Sequence, residues 1–204
     1  HRDLHSFPTR RSSDLFWGDG TYPSKESLYQ ETESVLKRHP RLNITLAHFF
    51  FLSADIARAE DFLSRHPNVA FDITPGVEMY FNFTRRREEW REFFVRNSAR
   101  IIYGSDGTDK QSSREWNLKT SRNVQSFLET DGESEWGRGI KLDAESLGRI
   151  YSGNFKERVG GAPKPVRKDA ALKFSRKALE SAKQAGAGQS ASQLEKIIER
   201  LAGI

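Results

Sequence analysis

The 204-residue sequence has no cysteine and no apolar run near the ~18 residues that a membrane-spanning helix needs. Without cysteine there are no disulfides and no thiolate ligands, so any metal must be held by His, Asp or Glu. No secretory leader is visible, but the true N-terminus is expected to be missing, so the location stays open, with a cytoplasmic one favoured. The charge of +5 is unevenly spread: from Lys164 onward nine Lys/Arg face four acids, while residues 16–163 come to −1. A neutral globular part with a basic tail argues against nucleic acid as the partner, and the missing apolar run argues against membrane.

What is present begins with an unnatural stretch. His5-Ser6-Phe7-Pro8-Thr9-Arg10-Arg11-Ser12-Ser13-Asp14-Leu15 is the translation of a common short-read sequencing adapter. Residues 1–15, including His1 and His5, are therefore set aside as a non-native segment.

Beyond it the chain alternates helix and strand. Ser24 caps a helix with Leu28, Thr32, Val35 and Leu36 on one face, ended by Arg38-His39-Pro40. A strand over 43–48 follows, then Phe49-Phe50-Phe51-Leu52. A second helix, capped by Ser53 or Asp55, buries Ile56, Ala59, Phe62 and Leu63. Arg65-His66-Pro67 ends it 27 residues after the first such triplet, and a strand over 68–74 begins at once. That spacing is the rhythm of repeated βα units. His39 and His66 sit at helix exits and read as structural. Arg85-Arg86-Arg87-Glu88-Glu89 reads as the solvated start of a helix burying Trp90, Phe93 and Phe94, and Asn82-Phe83-Thr84 fits a glycosylation sequon.

A third short strand, Arg100-Ile101-Ile102-Tyr103, stops at Gly104-Ser105 and presents Asp106. A short helix follows around Val124-Phe127-Leu128, then a Gly/acid-rich loop over 131–139 and a helix capped by Asp143. After a linker at 160–165, residues 169–184 and 191–202 read as tail helices, the last with the apolar stripe Leu194, Ile197, Ile198 and Leu201. In parallel α/β proteins ligands bind outside the carboxyl ends of the strands. His48 and Asp106 both stand there and are the candidate metal pair. Two plainer roles stay open: a strand-end His satisfying a backbone carbonyl, and an Asp capping a turn. Asp72 lies within its strand and reads as structural. Glu78, just past Pro75-Gly76, is the candidate substrate contact.

Four stretches, in order, resemble the amidohydrolase-related family, in its decarboxylase-like branch: Leu46-Ala47-His48, His66 to Asp72, Arg100 to Asp106, and Ile150-Tyr151-Ser152-Gly153-Asn154-Phe155. The resemblance spans residues 16–163. It implies strands six to eight of a TIM-type (β/α)8 barrel, followed by the helical tail 164–204. It implies a divalent metal, Zn²⁺ by its ligand chemistry, with His48 and Asp106 as ligands and catalytic groups. Asp106 would take the proton from the metal-activated water.

The expected function is hydrolysis of C–N or C–O bonds in a small molecule. Non-oxidative decarboxylation on the same scaffold, or a non-catalytic α/β binding module, are the alternatives. Two departures stand out: Phe49-Phe50-Phe51 where the family often has glycines, and Gly107-Thr108 where it often has an aromatic and a proline. The three phenylalanines imply an apolar or aromatic substrate. The family's first-strand His-x-His and its fifth-strand ligand have no counterpart, and residues 16–163 fall well short of the ~250 of a full barrel. The chain alone is therefore expected to be an inactive fragment of its parent enzyme.

Overall fold

A computed structural model describes residues 23–107, 114–162 and 164–203, so the adapter-like segment and Thr108 lie outside the described residues. The fold is mixed α/β, with helices predominating around one small parallel sheet. The chain divides into two compact units after Gly161.

In the first unit α1 (Lys25–Arg38) starts where Ser24 Oγ accepts from Ser27 N, a side-chain cap for an otherwise orphaned amide. Strand β1 (Ile44–Leu46) leads through a turn to α2 (Ile56–Arg65), capped by Asp55, which accepts from Arg58 N. Next come β2 (Val69–Asp72), α3 (Val77–Arg85), α4 (Arg87–Arg96) and β3 (Ile101–Ile102). The three strands pair in parallel in chain order, Ile44 beside Val69 and Phe71 beside Ile101. Each strand is shorter than its apolar run in the sequence.

Helix α3 is an addition to the expected pattern. It buries Met79, Tyr80 and Phe83, and Asn82 Nδ2 donates to the buried Ser53 hydroxyl at 3.1 Å. The sequon asparagine thus has its acceptor nitrogen engaged and its neighbour Phe83 in the core. The Arg85–Glu89 run does open a helix, with Arg86 paired to Glu89 and Arg87 to Glu88, but Arg87 Nε also reaches the Gly139 carbonyl.

Helix α5 (Arg114–Glu129) is far longer than expected, and the expected loop holds a hairpin of β4 (Glu133–Ser134) and β5 (Gly137–Arg138). Asp143 caps α6 (Ala144–Gly148), accepting from Ser146 N and Oγ, and this bonding lowers its pKa. A π-helical turn (Arg149–Gly153) and α7 (Asn154–Val159) follow. Buried Asn154 gives Nδ2 to the Ser98 and Ile101 carbonyls, so it fixes the start of β3.

The core is unusually aromatic. Phe49 is fully buried against Phe71, Phe83, Trp90 and Phe94, with ring centroids 4.8, 5.0, 5.5 and 5.9 Å away. At the opposite end of the strands Arg100 clasps three carbonyls. Its Nε donates to Val69 O at 2.7 Å, Nη1 to Leu63 O at 2.7 Å, and Nη2 to His66 O and Val69 O. Replacing it with methionine strands those acceptors, and a loss of about 3 kcal/mol in urea-midpoint stability is expected. Arg149→Met, which breaks only the exposed pair with Glu145, should cost under ~0.5 kcal/mol.

The second unit is a helical hairpin of α8 (Lys168–Gln184) and α9 (Gly188–Ala202), turning at Gly186 with φ +66°. Ser175 and Ala191 are buried in it, and Lys183 pairs with Glu195 at 2.9 Å. Of the apolar stripe, Leu194, Ile198 and Leu201 are half-buried while Ile197 is exposed.

Candidate functional site

The site is built on the carboxyl ends of β1, β2 and β3. After Leu46 the chain enters a single tight turn, Ala47–Phe51, in which His48, Phe49, Phe50 and Phe51 all have φ between 52° and 57°. Four consecutive residues with side chains in the left-handed region are costly, at ~1–2 kcal/mol each. Packing and hydrogen bonds offset this. Phe49 is driven into the aromatic core, and Tyr29 Oη donates to the Phe50 and Phe51 carbonyls at 3.2 and 3.3 Å. Lys25 Nζ donates to Phe51 O at 3.1 Å; burial, then the nearby Arg58 guanidinium, lower its pKa. Glycine takes this backbone freely, whereas phenylalanine does so only at a cost.

The turn aims His48. Its backbone N–H donates to Asp72 Oδ1 at 2.9 Å, and the same oxygen accepts from Thr74 N at 3.0 Å. The ring Nδ1 lies 3.1 Å from the Thr74 carbonyl. A carbonyl only accepts, so Nδ1 carries the hydrogen, and in the singly protonated ring Nε2 keeps its lone pair. Asp72 is therefore a positioning group, as its place in the strand implied. Of the histidine's two open roles, the structure shows the plainer one: Nδ1 satisfies a backbone carbonyl.

Thr74 also touches the third strand. A Cβ placed on Gly104 would stand 2.1 Å from Thr74 Oγ1, so only glycine lets the β3 loop pass so close. Asp106 follows on that loop, exposed, with φ 50°. Glu78, in the first turn of α3, is exposed and turns its carboxylate back toward Gly76. His48, Glu78 and Asp106 thus share the carboxyl ends of the sheet, and His48 and the Asp106 loop meet at Thr74. Among the described residues no group of three His, Asp or Glu side chains could hold a metal ion. The donor set fits a metal in part: one oriented imidazole and one carboxylate loop.

The wall of phenylalanines needs correction. Phe49 faces the core, and Phe50 packs on Tyr29 and Phe62 at 4.8 and 5.0 Å. Only Phe51 is exposed, beside the His48 ring at 5.8 Å, so one ring and not three is open to a substrate. His39 and His66 lie at helix exits as expected. The His66 pKa is lowered by burial and then by Arg65, and its ring packs 4.8 Å from Phe62. They line a hollow of about 310 Å³ with Leu36, Pro40, Arg65 and Pro67, on the amino side of the strands. Thr74 was missed by sequence reasoning; its only signal was the Pro75-Gly76 break that follows it. No helix among the described residues is long and apolar enough to cross a membrane. No family model, curated protein or solved structure matches the chain.

Proposed function

We propose that residues 23–162 contribute three neighbouring strands of a (β/α)8 barrel in a metal-dependent hydrolase of C–N or C–O bonds. The observation that carries this reading is the His48 ring, held by a backbone carbonyl through Nδ1 at the carboxyl end of a parallel sheet. Metal-binding histidines are oriented in this way by an acceptor on their other nitrogen. Sequential parallel strand order is also what a barrel requires.

In this reading His48 Nε2 and an Asp106 carboxylate oxygen hold a divalent ion, zinc by preference. Such an ion, when bound, brings the ionisation of water toward pH ~7. Asp106 then accepts a proton at its carboxylate, while Asp72 and Thr74 keep His48 aligned and exposed Phe51 covers one side. Two donors make a weak site, and the remaining ligands come from strands beyond β1–β3. The 204-residue chain alone is therefore expected to bind Zn²⁺ weakly and to show no hydrolysis.

The test is a zinc titration followed by the ring ¹⁵N signals of the five histidines. Zinc should move His48 Nε2 and leave its Nδ1 signal protonated. His48→Ala should remove that site, and Asp106→Asn should weaken it at least fivefold. Zinc binding equal in both variants and the parent chain would overturn the reading.

A further inference from the structure

The carboxyl face of the sheet holds a cation that the metal reading leaves unused. Lys25, at the start of α1, is exposed, and its Nζ donates to Phe51 O at 3.1 Å. The same carbonyl accepts from Tyr29 Oη at 3.3 Å, so both of its lone pairs are taken. An ammonium has three donors, and two of these have no acceptor among the described residues.

The charges around it do not balance. Lys119, Lys141 and Lys183 each meet an acid within 3.2 Å, at Glu135, Asp131 and Glu195. Lys25 meets none among the described residues. Its sequence neighbour Glu26 gives both oxygens to Arg58 Nη2, at 2.8 and 2.9 Å. Arg58 lies over the Tyr29 ring at 4.3 Å and Lys25 Nζ over the same ring at 5.5 Å, so two cations share one ring and one carboxylate. One positive charge is left for a ligand.

The place of Lys25 states what that ligand is joined to. Its Nζ and the His48 ring stand 6.0 and 5.8 Å from the centroid of the Phe51 ring, which is 48% exposed. An apolar ring packed against Phe51 is within reach of both. The single unbalanced charge suits a monoanion; a phosphate monoester carries about −1.5 to −2 at neutral pH and is a poorer match.

We infer that Lys25 selects the substrate of this site, a small amide or ester with a free carboxylate on an apolar ring. The inference rests on the hydrolase reading above. The carboxylate accepts from Lys25 Nζ, the ring packs on Phe51, and the bond to be cut is turned toward His48. Lys25 takes no part in the hydrolysis itself.

The probe is benzoate, titrated without zinc into the 204-residue chain and followed by the Lys25 side-chain methylene and Phe51 ring signals. Saturable shifts with a millimolar dissociation constant are expected. Lys25→Met should weaken benzoate about tenfold, the worth of one charged hydrogen bond, while Lys25→Arg should hold it. Tyr29 Oη still serves Phe51 O in both variants, so the turn keeps that bond. Benzamide, of the same shape but uncharged, should bind the parent chain and Lys25→Met alike, and phenyl phosphate should bind no tighter than benzoate. No saturable benzoate shift, equal benzoate affinity in parent and Lys25→Met, or phenyl phosphate bound about tenfold tighter than benzoate overturns the inference. The zinc titration reads His48 Nε2 and this one reads Lys25 and Phe51, so each can fail while the other succeeds.

Discussion

Phe49→Ala is expected to lower stability by about 3–5 kcal/mol, a large fraction of the ~5–15 kcal/mol that holds a domain together. The ring is fully buried and meets five aromatic neighbours within 6 Å, so its loss leaves a cavity where several aromatic contacts were made. The backbone gives the prediction a second edge. Elsewhere glycine is a worse replacement than alanine, because it frees the unfolded chain. At φ 54° the left-handed penalty on alanine, ~1–2 kcal/mol, opposes that loss. Phe49→Gly should therefore be at least as stable as Phe49→Ala in chemical denaturation. Alanine clearly ahead of glycine would mean that the turn is not left-handed.

Gly139→Ala should cost about 3 kcal/mol or more and detach the hairpin. A methyl there would stand 2.2 Å from Thr130 O, 2.6 Å from Ser126 O and 3.0 Å from Phe127 O, all backbone at the end of α5. No side chain can rotate away to make room, so the strand must move and its bonds with it. Gly139 N–H···O Gly132, Ile140 N–H···O Phe127 and Arg87 Nε–H···O Gly139 are the contacts at risk. The near-ultraviolet dichroism of buried Trp136 reads out the detachment. Gly148→Ala has nothing within 4 Å of its new methyl and lies in α6, so it should gain about 1 kcal/mol. The two substitutions, identical in chemistry, should move the denaturation midpoint in opposite directions.

Cap chemistry was legible because it is local. Ser24, Asp55 and Asp143 each bond an amide three residues on, and sequence alone marks such positions. The three strands were legible as apolar runs, although pairing trims them to the few residues that find a neighbour. Helix α3 was hidden because Pro75-Gly76 closes the strand before it and reads as a break, while tertiary burial of Tyr80 and Phe83 decides the matter. The left-handed turn had no signal at all: three phenylalanines announce burial, not positive φ. At the site, the location of His48, Glu78 and Asp106 followed from strand ends. The hydrogen bond that selects the ring nitrogen came from Thr74, a residue on another strand, and long-range partners of this kind leave no mark in local sequence.

Residues 48–51 are, in stereochemical terms, a stretch of mirror-image backbone written in L-amino acids. A D-residue occupies that region as readily as an L-residue occupies an ordinary helix. Phe51 is 48% exposed, so inverting its α-carbon disturbs little packing. In a chemically synthesised chain, D-phenylalanine at position 51 would hold the turn that orients His48 more firmly than the natural enantiomer does.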